Sequence, residues 1–183
     1  DEKGTSPVYQ AKIFSTTVGF RARIELKLKS DDAIYVTMPG VPTEIPFVVI
    51  MRALTLEKDK EIAEAVSLDP DTQSHLGASF EKAIGVDTTQ DAILFIGNRV
   101  AHGQVEEYRL QKAETAIDKN FLPHLGRSDK NRKEKAIFLG EMATRVIQLK
   151  TGRRQPDDKD HFKNKRLRLG GPLLADLFLS LIH

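Results

Sequence analysis

The chain has 183 residues, of which 40% are hydrophobic and 30% charged, and its formal net charge is +2. This length and composition are typical of one globular domain with a sizeable core, and no apolar run approaches the roughly 18 to 20 residues that span a bilayer. Cysteine is absent, which excludes disulfides, thiol nucleophiles and cysteine-ligated zinc and fits a cytoplasmic protein.

In the stretch 18–29, VGFRARIELKLK, apolar and charged residues alternate strictly from Phe20 onward. This period of two predicts a half-buried antiparallel strand. Flanking strands are predicted over residues 8–14 and 33–38, and the turn residues Ser30, Asp31 and Asp32 precede the second of them. We therefore expect a small antiparallel sheet at the N-terminus, with its polar face in water.

From Pro46 the chain is apolar on nearly all sides, which predicts a buried helix with proline in its first turn and Thr43 or Glu44 as its cap. Thr88 and Asp91 have the spacing of a capping box. Further helices are predicted over residues 58–67, 72–84, 88–100, 105–119 and 132–150. The fold class expected is therefore α+β, with the sheet first and a mainly helical part after it.

The last long helix of this series has a core stripe and a polar face, and Gly152 is expected to end it. The stripe consists of Leu139, Met142, Val146 and Leu149. The residues expected to face outward are Lys135, Glu141, Arg145 and Gln148. A further apolar helix is predicted over residues 172–183; we interpret it as part of a neighbouring domain and the chain as a fragment of a longer protein.

Charge is distributed unevenly, because residues 127–168 hold fourteen Lys or Arg and only six Asp or Glu. Such an imbalance favours phosphate-bearing partners, although a solvated helix face explains it equally well. One basic patch surrounds the start of the 132–150 helix, where positive charge opposes the helix dipole and suggests an external use. Its members are Arg127, Lys130, Arg132, Lys133 and Lys135.

The segment from residue 153 to residue 174, RRQPDDKDHFKNKRLRLGGPLL, places an acidic cluster directly before a basic run. The carboxylates of Asp157, Asp158 and Asp160 could bind a divalent cation, but the adjacent lysines favour local charge neutralisation. His161 is interpreted as structural rather than catalytic. No nucleophile elbow, phosphate loop or dinucleotide fingerprint occurs, and we expect neither a catalytic residue nor a metal site.

The basic run is dense enough to contact a phosphate backbone or an unpaired strand, with Phe162 available for packing. We call residues 163–168 the basic segment; its cations are Lys163, Lys165, Arg166 and Arg168.

Three stretches, FLPHL (121–125), KAIFLGEMATRVIQL (135–149) and the 153–174 segment, resemble the lobe domain of the second-largest, β-like subunit of multi-subunit DNA-dependent RNA polymerase. The sequence GRRQPDDKDHF is similar to the matching stretch of archaeal family members, in which the subunit is called B. Segments 45–54 and 91–100 also lie where the family has similar sequence. On this resemblance residues 1–168 are assigned to a lobe-like domain and residues 169–183 to a truncated segment joining the neighbouring protrusion domain.

The resemblance implies one wall of the DNA cleft, near downstream DNA and the separated non-template strand. It implies that the parent is a nucleotidyltransferase whose magnesium is held mainly by the largest subunit, so this chain needs no cofactor. In bacterial relatives an Asp and an Arg of the matching motif help to form a pocket for an unpaired base, and Asp160 and Lys165 take those positions. Two residues depart from the family: Lys163 replaces a usual glycine, and Gly171 a frequent alanine.

The expected nucleic-acid-binding residues are Asp160, Lys163, Lys165, Arg166 and Arg168, followed by Arg153 and Arg154. The expected partners are other polymerase subunits, DNA and transcription factors, with no membrane. A second hypothesis is a protein-docking scaffold that never touches DNA. A third is a metal-dependent phosphotransfer enzyme using Asp157, Asp158 and Asp160.

Overall fold

The computed structural model describes residues 9–17, 19–158, 160–162 and 169–182. Within these ranges four strands form one antiparallel sheet in the order β1-β2-β3-β4. Their bounds are Tyr9–Thr17 (β1), Phe20–Leu28 (β2), Ile34–Thr37 (β3) and Ile45–Pro46 (β4). β1 and β2 pair along their whole length, from Tyr9 opposite Leu28 to Thr17 opposite Phe20. The predicted N-terminal sheet is confirmed, and β4 is a strand that the sequence pattern did not reveal.

Helices account for most of the rest of the described chain, and the α+β class is confirmed. The α-helices are Phe47–Ala53 (α1), Asp59–Val66 (α2), Pro70–Ser74 (α3), Gly77–Glu81 (α4), Thr89–Val100 (α5), Glu106–Thr115 (α6), Arg132–Lys150 (α7) and Gly170–Ile182 (α8). A π-helix, Ala116–Asn120, continues α6, and two short 3-10 helices, Pro123–Leu125 and Asp129–Asn131, lead into α7.

α1 is buried at every residue, as predicted, but its start differs from the prediction. The N-cap position is Pro46, and no side chain caps the helix, so neither Thr43 nor Glu44 has that role. The reason is that Pro46 also ends β4 and pairs with Tyr35. The chain passes directly from strand to helix, which leaves no preceding loop in which a cap could form.

The helix predicted over residues 72–84 is instead two short helices, α3 and α4. Between them the amides of His75 and Leu76 bond to carbonyls three residues back, at Thr72 and Gln73. This tighter turn rotates the chain so that Leu76 becomes fully buried. The capping box before α5 is confirmed, because Asp91 N–H donates to Thr88 Oγ1 at 3.1 Å and Thr88 N–H donates to Asp91 Oδ2 at 3.3 Å.

α7 packs across β1, β2 and α2, and its core stripe is confirmed at Leu139, Met142 and Val146, whereas Leu149 is only partly buried. α7 crosses α2 at Gly140, where a Cβ would lie 2.2 Å from the carbonyl oxygen of Ala65. Only glycine permits so close an approach of two backbones. After α7 the positive φ of Gly152, 73°, ends the helix as predicted.

Candidate nucleic-acid interface

A loop of residues 151–158, the anchoring loop, leaves α7 and is fixed to the start of α3. The guanidinium of Arg153 donates to Asp69 Oδ2 at 2.7 Å and to Asp71 Oδ2 at 2.8 Å. Asp69 is the N-cap of α3 and also accepts a hydrogen bond from the hydroxyl of Thr72. The hydrogen bond from Thr72, and secondly that from Arg153, lowers the pKa of Asp69 below its ordinary value. Arg153, one of the predicted contact residues, therefore meets two carboxylates of its own chain.

The acidic residues that follow are held by local contacts. Arg154 donates to Asp157 at 2.8 Å, and the amide N–H of Asp160 donates to Asp158 Oδ1 at 2.9 Å. The described ranges contain no group of three or more His, Asp or Glu side chains arranged to hold a metal ion. Asp157 therefore has a cationic partner in Arg154, which agrees with neutralisation as the use of its charge.

The cations of the basic segment, Lys163, Lys165, Arg166 and Arg168, lie outside the described residues, and their assignment stays a prediction. Its described neighbours are open to solvent, with Phe162 84% and Leu169 72% exposed. The departures from the family pattern at Lys163 and Lys165 likewise remain sequence observations. What the structure supplies is the position of the anchoring loop from which this segment continues.

The second basic patch is turned inward at two of its five residues, contrary to the prediction. Arg132 holds the carboxylate of Asp118 at two points, 2.8 and 2.7 Å, and is 9% exposed. Lys135 is fully buried and donates to the carbonyl oxygens of Ile117 and Asp118. Burial lowers the pKa of Lys135 to about 8. These cations fasten α7 to the π-helix, whereas Arg127, Lys130 and Lys133 are exposed.

A sequence signal for the burial of Lys135 did exist. Lys135 stands four residues before Leu139 and so continues the core stripe by one turn. The prediction that it faces outward followed from its charge alone. The other residues expected to face outward are exposed at Glu141 and Arg145 and partly buried at Gln148.

A cluster of five cations lies on the outer face of the sheet, whose polar side was predicted only to be exposed to solvent. We call it the basic sheet face; it consists of Lys12, Arg21, Arg23, Lys27 and Lys29. Two carboxylates lie among them, Glu25 and Glu44. Alternation over residues 18–29 indicated four of these cations, whereas the addition of Lys12 from β1 depends on strand register.

Ion pairs on this face are shared rather than matched one to one. Glu25 accepts from Lys12 at 2.9 Å and from Arg23 at 2.5 Å, and Glu44 pairs with Lys27 at 3.2 Å and Lys29 at 2.5 Å. Burial acts to raise the pKa of Glu25, but hydrogen bonds from Lys12 and Arg23 outweigh it and the pKa is lowered. Both carboxylates are thus ionised at neutral pH, and the face retains an excess of positive charge.

A groove of about 460 Å³ joins this face to the anchoring loop. β1 forms one wall through Lys12 and Ile13, α7 another through Met142 and Arg145, and Arg154 lies on the loop side. β1 is the edge strand of the sheet. The edge of the basic sheet face and the approach to the basic segment therefore border the same groove.

α8 exposes apolar side chains along its length, including Leu173 at 51%, Leu177 at 58% and Phe178 at 64%. From the sequence this helix is predicted to belong with a neighbouring domain, and such a neighbour would cover these exposed side chains. Among the described helices, none is long and apolar enough to cross a membrane.

The family described as RNA polymerase Rpb2, domain 2, matches residues 5–168. The DNA-directed RNA polymerase subunit Rpo2 of Saccharolobus solfataricus is 49% identical over 175 residues, which cover 96% of this chain and 16% of the relative. Subunit Rpo2N of Methanococcus vannielii is 44% identical over 180 residues, or 97% of this chain and 36% of the relative. Subunit Rpo2N of Halobacterium salinarum is 38% identical over 187 residues, with 100% and 36% covered. The chain thus spans about one-sixth to one-third of the length of these archaeal relatives.

Proposed function

The chain belongs to the family RNA polymerase Rpb2, domain 2, and from that membership we propose that it forms part of the DNA-cleft wall of an archaeal-type polymerase. In this proposal the chain is the lobe of the second-largest subunit and contributes no catalytic residue. The parent enzyme transfers nucleotides in the cytoplasm with magnesium held mainly by its largest subunit.

The observation that carries the proposal is the pair of hydrogen bonds from the Arg153 guanidinium to Asp69 and Asp71. This contact fixes the anchoring loop to the folded body, so the basic segment continues from a defined place rather than from a free tail. Its four cations within six residues can neutralise several phosphates, and each neutralised phosphate releases counterions. The DNA contacts proposed are Asp160, Lys163, Lys165, Arg166 and Arg168, with Arg154 beside them.

Arg153 has a different role in this proposal from the other predicted DNA contacts. Its two hydrogen bonds to carboxylates compensate its charge, and a phosphate would have to compete with both. We therefore assign Arg153 mainly to positioning the anchoring loop and only secondarily to DNA.

Other polymerase subunits and transcription factors are the proposed protein partners. The exposed apolar side chains of α8 support a contact with a neighbouring domain or subunit, because apolar surface of this extent is usually covered in an assembly. The same observation keeps the second candidate function open, in which the chain is a docking scaffold and the DNA contacts come from elsewhere in the polymerase.

A salt series on a bubble-containing DNA duplex tests the proposal. The 183-residue chain is compared with Lys165→Glu/Arg166→Glu and with Lys58→Glu/Lys60→Glu, a control with the same charge change at the start of α2, where those side chains are 80% and 86% exposed. We expect the first variant to bind more weakly and with a flatter salt dependence, and the control to bind nearly as the wild type does.

Equal loss in the two variants would reduce the effect to net charge and contradict the assignment. Absence of binding by the wild-type chain would favour the docking scaffold. The same substitutions in the assembled polymerase then decide, since an unchanged salt dependence there would overturn the DNA contact altogether.

A further inference from the structure

The basic sheet face combines positive charge with accessible aromatic rings on one side of the sheet. Phe14 is 50% exposed on β1, and the guanidinium of Arg21 lies over its ring, 4.1 Å from the centroid. On β3 the ring centroid of Tyr35 lies 4.4 Å from the ammonium of Lys29. The face thus presents two aromatic rings, each with a cation above it.

The charge on this face is incompletely compensated. Four of its five cations, Lys12, Arg23, Lys27 and Lys29, share the carboxylates of Glu25 and Glu44. Within the described parts of the chain Arg21 makes no ion pair with a carboxylate; its contact is the ring of Phe14. Arg21 also borders a groove between β1, β2 and α8, which Asp176 lines from the other side.

Register holds these groups together. Thr16 pairs with Arg21, Phe14 with Arg23, and Lys12 with Glu25, so successive outward residues of β1 meet outward residues of β2. Since every second residue of a strand points to the same side, Lys12, Phe14 and Thr16 form one row and Arg21, Arg23 and Glu25 the next. The surface is built by the longest paired element of the sheet and needs no rearrangement to form.

We propose that the basic sheet face binds single-stranded nucleic acid, with phosphates against Arg21 and Arg23 and an unpaired base stacked on the Phe14–Arg21 pair. Exposed aromatic rings and guanidinium planes are the surfaces on which unpaired bases stack, and cations alongside them contact the backbone. An acidic peptide would satisfy the cations but has no group that needs the ring. A duplex keeps its bases stacked inside and would leave Phe14 unused.

This surface consists of other residues than the basic segment, and the groove between β1, α7 and Arg154 connects it to the anchoring loop. It lies within the described residues and uses none of the residues predicted to contact DNA. The inference therefore goes beyond the proposed function and can fail or hold independently of it.

The test measures fluorescence anisotropy of a labelled oligothymidylate, a strand with no tendency to pair, titrated with the 183-residue chain over a salt series. The variants are Arg21→Glu, Phe14→Leu and the control Lys60→Glu. Arg21 and Phe14 are exposed, so both variants should fold, and circular dichroism and urea midpoints verify this. Phe14→Leu keeps apolar bulk while removing the ring.

We expect Phe14→Leu to weaken binding about fivefold or more, corresponding to the loss of one stacked base. Arg21→Glu should weaken binding further and reduce the salt slope by about 0.7 for each phosphate that the variant no longer neutralises. Lys60→Glu should have little effect. Wild-type affinity in both face variants, or no binding by the wild-type chain, would overturn the proposal.

Two further probes separate the alternatives. If polyglutamate binds more tightly than oligothymidylate and Arg21→Glu abolishes that binding, the face is a site for acidic protein segments and the proposal fails. Lys165→Glu/Arg166→Glu is titrated with the same oligonucleotide. Retained binding by that variant supports a separate surface, whereas complete loss assigns the oligonucleotide to the basic segment and overturns the inference.

Discussion

The ammonium nitrogen of Lys135 lies 2.7 Å from the backbone carbonyl oxygen of Asp118, inside the core and out of contact with solvent. It also donates to the carbonyl of Ile117 at 3.0 Å, while Arg132 holds the side chain of Asp118. The last carbonyl groups of a helix have no partner within it. The first turn of α7 therefore supplies hydrogen-bond donors to the end of the π-helix. The positive charges of Lys135 and Arg132 thus bind groups of the same chain and not an external partner.

Burial of Lys135 predicts a specific dependence of stability on pH. Its pKa is about 8 in the folded chain and 10.5 ordinarily, so between these values the unfolded chain binds more protons and raising the pH favours folding. Below pH 8 the buried charge costs up to about 3 kcal/mol, and this cost is relieved as pH rises towards 10.5.

Urea unfolding of wild type and Lys135→Met at several pH values measures this effect as a difference in unfolding free energy. Above about pH 8 the unfolding free energy of the wild type should rise relative to that of the variant. Lys133→Met, which removes an exposed lysine from the same turn, is the control. Parallel pH profiles for wild type and Lys135→Met would contradict the assignment of a charged, buried ammonium group.

His124 should titrate below its ordinary pKa of 6.5, because partial loss of solvent around the ring and, secondly, the charge of Lys135 lower that pKa. Its Nδ1 lies 2.7 Å from Ser15 Oγ, which links the 3-10 helix to β1. NMR titration of the ring protons should give a higher pKa for His124 in Lys135→Met than in wild type. An unchanged pKa would show that the charge of Lys135 does not influence the His124 ring.

The sign of the His124 contribution to stability follows from the same shift. A histidine whose folded pKa is lowered binds fewer protons than in the unfolded chain, so its contribution decreases as pH falls through 6.5.

Gly140→Ala should destabilise the chain by about 2 kcal/mol, because the added Cβ would lie 2.2 Å from the carbonyl of Ala65 and force α7 away from α2. Helix propensity alone would favour alanine by about 1 kcal/mol, so the sign of the change reveals the close approach. Urea unfolding measures it, with Glu141→Ala on the exposed side of the same helix as control. Stabilisation by Gly140→Ala would refute the packing described.

Arg153→Ala should weaken binding to bubble DNA less than Lys165→Glu/Arg166→Glu, even per charge removed, since Arg153 is already neutralised by Asp69 and Asp71. Both variants are measured by anisotropy at one salt concentration. A loss in Arg153→Ala as large as in the double variant would make Arg153 a principal contact.

Several elements could be predicted from the sequence because one local rule determined each. Alternation in residues 18–29 indicated β2, and Thr88 with Asp91 marked the start of α5. The division of residues 72–84 into α3 and α4 could not be predicted this way, because it depends on Leu76 reaching a core formed by distant elements.

The candidate sites likewise differ in whether a local sequence pattern or long-range packing determines them. Charge density marked the basic segment, but it could not separate Lys135, which enters the core, from exposed Lys133. Alternation placed four cations of the basic sheet face on the polar side of β2, but it could not show that strand register adds Lys12 and the ring of Phe14 from β1. Sequence patterns predict a surface within one element better than a surface built by several.

The packing of α7 on β1 and β2 also bears on how the chain folds as it leaves the ribosome. β2 ends at Leu28 and α7 ends at Lys150, and at about 5 to 20 residues per second the interval between them lasts roughly 6 to 24 s. During this time the hairpin of β1 and β2 can pair, but the apolar side that α7 will cover has no permanent partner. Nascent-chain aggregation and chaperone capture should therefore be greatest before α7 has emerged and decrease once it has.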